Sequence, residues 1–166
     1  MINENADMSM SRPKQIAGLA VSLIVVFGIA TLGGVLTNLS VATWYPSLHK
    51  PSWTPSGATI GTVWTVLYTV MGIAAWIVWR AGSGGRALPL TLYGLQLLLN
   101  AGWSALFFAL RSPGLALLEI GVLWIAILAT AGAFWRVSKL AGVLMAPYLI
   151  WVTFAAVLNA MIWQMN

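Results

Sequence analysis

Long apolar runs alternate with short polar breaks along this chain of 166 residues. Uncharged stretches extend from Gln15 to Ser40, Ser52 to Trp79, Ala87 to Leu110 and Leu140 to Asn166, and the run from Ser112 to Trp135 is interrupted only by Glu119. Each supplies the roughly 20 residues that a helix needs to cross the hydrocarbon of a bilayer. The pattern predicts an all-α polytopic membrane protein. Its five transmembrane helices fall near 15–40, 57–79, 88–110, 113–135 and 140–165, forming one domain over 14–166 behind a disordered polar segment, 1–13. A lipid-facing barrel would instead show alternating segments of about ten residues. The first run follows Arg12 and Lys14 as a signal peptide's would, but its length and the lack of an A-x-A pattern predict a retained helix.

Composition agrees: 60% of residues are hydrophobic and 7% charged, against about 25% charged in an ordinary soluble domain. With no cysteine, disulfide frameworks and thiolate metal sites are excluded. The net charge of +5 is read as topology. Arg12, Lys14, Arg80, Arg86, Arg136 and Lys139 fall on one side and only Lys50 and Arg111 on the other, which predicts an N-terminus inside. No basic stripe with interleaved aromatics points to nucleic acid.

One connection differs from the others. "WYPSLHKPSWTPSG", Trp44 to Gly57, packs three prolines, aromatic residues, His49 and Lys50 between the first two spans. Proline fixes φ and so limits the conformations of such a cover. Ser56 suits an N-cap for the second helix. "AGSGGRA", 81–87, reads as a flexible connection and lacks the Lys-Ser/Thr pair of a phosphate loop. Pro147 within the last run can kink it.

Helical spacing then groups the aromatics. Trp64 shares a face with Tyr68 and Met71, Asn100 and Trp103 with Gln96 and Phe107, and Trp151 with Phe154, Ala155 and Leu158. Such stripes serve packing as readily as ligand binding. Trp79, Trp135 and Trp163 suit the headgroup belts. Beneath a cover carrying Trp44, Tyr45, Lys50 and Trp53, the three faces offer stacking surface to a flat ring system, with Lys50 available to a carboxylate on its edge. Glu119 is expected to be protonated or paired, with a proton or substrate path as the alternative. His49 on the exposed loop reads as a solvated or propionate-facing residue, with haem ligation as the alternative, and no second histidine exists to build a metal site. Ala101, Ala105 and Ala109 form a small-residue row for packing within the chain or between copies.

"WYPSLHKPSWTP", "GTVWTVLY" with Trp64, "NAGWSALFF" and "PYLIWVTFAAVLN" together resemble the TspO/MBR family, the tryptophan-rich sensory proteins related to the mitochondrial translocator protein, once called the peripheral benzodiazepine receptor. The resemblance covers 15–163. It implies a five-helix bundle, often a homodimer, that binds porphyrins such as protoporphyrin IX or haem, and isoquinoline- or benzodiazepine-type drugs, under the first loop. The family's pocket maps onto Tyr45, Trp64, Asn100, Trp103, Trp151, Ala155 and Leu158. Some bacterial relatives degrade protoporphyrin IX in light, which would give Tyr45, Trp64 and Trp151 a catalytic role without any required cofactor or metal. Two departures stand out. Ser56 replaces the family's second proline after "WTP", and Ala160 and Gln164 replace the tyrosine and arginine of the mammalian cholesterol motif. The expected function is a tetrapyrrole receptor or sensor in a bacterial cell membrane, contributing to trafficking or stress regulation. A light- and oxygen-dependent porphyrin-degrading enzyme is the alternative, and a small transporter relying on Glu119 a third.

Overall fold

The computed structural model describes residues 10–81 and 85–166. Residues 1–9 of the expected disordered segment and 82–84 of the glycine-rich connection lie outside the described residues. Among the described residues, six α-helices make five spans: α1 Arg12–Asn38, α2 Gly57–Arg80, α3 Ala87–Ser104, α4 Pro113–Val137, α5 Lys139–Leu144 and α6 Ala146–Met165. α5 and α6 together form the fifth span, Lys139–Met165.

Local chemistry sets the ends. α1 starts before the expected boundary because Pro13 sits in its first turn, where the missing amide costs nothing and φ is already helical. Ser56 Oγ accepts the Thr59 amide at 3.1 Å, so the cap of α2 forms as anticipated. Pro147 does not kink a continuous helix. It occupies the first turn of α6 after a break at Met145, and the Met145 amide satisfies the Gly142 carbonyl at 3.1 Å.

The end of α3 departs most from expectation. Residues Ala105–Ala109 form a π-helical turn, a widened coil that arises mostly as a single turn and often at functional sites. It turns both Phe107 and Phe108 inward, at 1% and 8% exposure. The Leu110 amide returns to Ala105 O, and Arg111 then takes a left-handed φ of 50°, uncommon for a residue with a β-carbon. That bend brings Pro113 to the start of α4.

The loop between α1 and α2 marks one face of the bundle, the loop side. Toward the far side, α1 and α2 are in intimate contact. A β-carbon on Gly72 would lie 2.9 Å from Leu23 and 3.2 Å from Val26, and Ser22 Oγ donates to Gly72 O at 2.7 Å. Here Met71, Ala74, Val78, Ile127, Phe134 and Tyr148 build the core. Ala101, at 5% exposure, is packed inside the chain while Ala109 is exposed, so the small-residue row does not form one outer face.

Candidate functional site

On the loop side the helices separate around a cavity of about 540 Å³, within the roughly 300–1,000 Å³ typical of small-molecule sites. α2 contributes Trp64 and Tyr68, α3 and its π turn contribute Asn100, Trp103 and Phe107, and α6 contributes Trp151, Phe154, Ala155 and Leu158. Tyr45 enters from the roof. These are the faces that helical spacing groups together, now converging on one volume, except that Met71 and Gln96 are buried away from it.

The aromatic walls support one another. Trp64 stacks on Tyr68 with ring centres 5.3 Å apart, Trp103 on Phe107 at 5.0 Å, and Trp151 lies 5.2 Å from Phe154. Rings held by such contacts lose little further freedom when a ligand stacks against them. Most of the lining is apolar, and a buried hydrogen-bonded group forms the floor. Tyr68 donates its hydroxyl to Asn100 Oδ1 at 2.5 Å, and Asn100 Nδ2 donates to the Tyr148 hydroxyl at 2.9 Å. Asn100 therefore keeps a second N–H for a cavity occupant. No Asp, Glu, His, Lys or Arg lines the cavity among the described residues. The walls can stack and the floor can donate, but there is no acid–base pair for hydrolysis.

Three expected residues belong to the roof and not to the walls. Trp44 packs edge-on against Phe107 at 5.7 Å, and Trp53, 44% exposed, covers Phe154 at 5.7 Å. Lys50 Nζ donates to the Tyr45 and Leu48 carbonyls at 2.7 and 2.9 Å and sits 4.7 Å above the Tyr45 ring. Its charge thus braces the loop from within. Burial of Tyr45 raises its hydroxyl pKa above the ordinary value.

His49 is exposed and held by its backbone: its amide donates to Asn166 Oδ1 at 2.9 Å, and Asn166 Nδ2 donates to its carbonyl at 3.0 Å. Glu119 is not in the cavity wall. Its carboxylate lies over Gly102 of α3, and neither oxygen has a hydrogen-bond partner among the described residues.

Sequence reasoning passed over several participants. Asn159, 1% exposed, accepts the Trp103 indole N–H at 3.0 Å and donates to Pro113 O at 2.8 Å. It orients a wall indole and ties α6 to the start of α4. Ser40, also buried, donates to Phe108 O at 2.7 Å, a carbonyl on the π turn. α1 adds Phe27, Gly33, Gly34 and Thr37 to the lining. An amide inside an apolar run was the available signal for Asn159, because a buried polar group in a membrane needs a partner.

The fold and this site define a class: a five-span integral membrane protein with a roofed, tryptophan-walled cavity in the loop-side half. A family model for the TspO/MBR family matches residues 20–164, and the chain belongs to that family. It is 41% identical over 157 residues to the tryptophan-rich protein TspO of Chlorobaculum tepidum, covering 92% of this chain and 98% of that protein. The translocator protein of Sus scrofa is 39% identical over 145 residues, 83% of this chain and 86% of its own. A tryptophan-rich sensory protein of Cereibacter sphaeroides is 38% identical over 123 residues, 74% of this chain and 77% of its own.

Proposed function

We propose that this protein is a membrane receptor or sensor whose ligand is a tetrapyrrole, protoporphyrin IX or haem, stacked between the cavity's indoles. One observation carries the reading: Trp64, Trp103 and Trp151 from three helices line a single volume of about 540 Å³, with the Asn100 amide at its floor. A flat conjugated ring gains by stacking on each indole face, and its polar edge finds a donor at Asn100. Isoquinoline- and benzodiazepine-type molecules satisfy the same requirements and belong to the same proposal. The sensory name of the Cereibacter sphaeroides relative supports a signalling role, with porphyrin trafficking or stress regulation as the setting. A bacterial cell membrane, an N-terminus inside and a homodimer complete the proposal.

Titration of the purified protein with protoporphyrin IX in darkness tests it. Intrinsic tryptophan fluorescence should be quenched saturably at one porphyrin per chain. Linear quenching no different from that of free tryptophan in detergent would overturn the reading.

A second reading draws on Tyr45, Trp64 and Trp151 sharing that cavity. In light, an indole or phenol can give one electron to the excited porphyrin, dioxygen takes that electron to become superoxide, and the ring then returns an electron to the indole or phenol radical, leaving an oxidised ring for superoxide to attack. Illuminated samples should lose the porphyrin absorption bands faster with protein than with empty micelles, and a Trp151→Phe variant that still binds should slow the loss.

A further inference from the structure

We infer that the cavity is loaded sideways from the membrane, through a slot between the loop-side halves of α1 and α2, while the loop above it is a fixed roof. The inference rests on the binding role proposed for this cavity and adds the ligand's route and physical state: a flat amphiphile already dissolved in lipid.

The first support is where the lining reaches the outside. Among the cavity's residues, those exposed at the protein surface are Phe27, Gly34 and Asn38 on α1 and Gly57, Gly61 and Thr65 on α2. The lining residues of the roof, α3, the π turn, α4 and α6 are buried or half-buried. Among the described residues, the volume therefore opens toward the gap between α1 and α2. A β-carbon at Gly34, Gly57 or Gly61 would meet nothing within 4 Å, so this gap is not closed by packing. From Phe27 to Asn38 at about 1.5 Å per residue, the slot spans roughly half the hydrocarbon thickness and faces acyl chains.

The second support is why α1 leaves α2. At the far side the two are pinned at Ser22 and Gly72, but α1 then leans toward α3, where a β-carbon on Gly33 would lie 3.5 Å from Ser104. Beyond its end, Ser40 donates to Phe108 O. That carbonyl is free to accept it because the Ser112 amide bonds Leu106 O instead and Pro113 has no N–H, and the bond ties the α1 terminus to α3.

The third support is the roof. It is anchored at its start by Ser40, at its middle by the paired hydrogen bonds between His49 and Asn166, and internally by Lys50 on the Tyr45 and Leu48 carbonyls. Lifting its middle breaks the His49–Asn166 pair while Lys50 keeps the loop stiff, whereas entry by the slot breaks none of these bonds.

The chain's lack of cysteine permits a clean test in phosphatidylcholine proteoliposomes. A Gly34→Cys, Gly61→Cys pair closes the slot, and a His49→Cys, Asn166→Cys pair fastens the roof, each with a short bis-methanethiosulfonate that reductant removes. Stopped-flow quenching is followed after mixing with phosphatidylcholine vesicles carrying protoporphyrin IX. Closing the slot should slow association and dissociation at least 10-fold, reversibly, and fastening the roof should change either by less than 2-fold. Slowing by the roof link, by both links alike or by neither overturns the inference. A porphyrin-independent measurement uses Ala155→Cys in the cavity wall. A lipid-soluble neutral maleimide should label it at least 10-fold faster than a charged one, and Gly34→Phe with Gly61→Phe should abolish that advantage. Absent porphyrin quenching with intact maleimide selectivity would sink the tetrapyrrole reading and leave the slot standing. Equal labelling by the two maleimides would sink the slot.

Discussion

The two halves of the α1–α2 pair use glycine for opposite ends. On the far side, a β-carbon at Gly72 would press on Leu23 and Val26, so glycine there lets two helices touch. On the loop side, a β-carbon at Gly34 or Gly61 would meet open space, so glycine there keeps a mouth clear. In a membrane, helix association depends on close packing and not on hydrophobicity. The same residue type therefore cannot be read without its partner: closeness at one end supplies the rigidity that separation at the other end requires.

Substitutions can break this contrast. Gly142, also on the far side, lies where a β-carbon would sit 2.8–3.0 Å from the Trp135 backbone and β-carbon. Backbone cannot swing aside, so Gly142→Ala should destabilise the protein by about 1–3 kcal/mol, read as a lower thermal midpoint in detergent. On the loop side, Asn159→Leu strands the Trp103 indole N–H and the Pro113 carbonyl in a dry interior. A cost of about 1–3 kcal/mol is expected, with a shift of tryptophan emission that Gly142→Ala does not share. An unshifted spectrum would mean that Asn159 does not position Trp103.

Smaller effects sharpen the picture. Ser56→Ala removes the side-chain cap of α2 and should lower stability by about 1 kcal/mol. Gly34→Ala and Gly61→Ala should leave stability unchanged or raise it by up to about 1 kcal/mol through helix propensity, since each has room for the added methyl. A loss of stability comparable to that of Gly142→Ala at either position would erase the difference between the halves.

How much of this was legible in the sequence follows from the range of the forces involved. The five spans were visible because a bilayer requires continuous apolar length, and the Ser56 cap because capping is local. The faces of Trp64, Asn100 and Trp151 were visible because helical periodicity groups them. Lys50 was expected to offer its charge to a ligand, yet the loop's own carbonyls surround it, an outcome of loop conformation that composition does not encode. The π turn, the bond from Ser40 to Phe108 across 68 positions and the part of α1 in the cavity all depend on tertiary packing. The amides of Asn100 and Asn159 were long-range features with a local signal.

On the proposed reading, ligand is held by the indoles of the cavity and not by those facing lipid. Equilibrium quenching titrations with protoporphyrin IX on Trp64→Ala and Trp151→Ala, beside Trp135→Ala and Trp163→Ala at the exposed belt positions, test it most directly. Stacking worth about 0.5–1.5 kcal/mol beyond its area, together with the lost contact surface, predicts a roughly 10-fold weaker Kd for each wall variant and no change for either belt variant. Equal weakening across all four, or none in the wall pair, would contradict it.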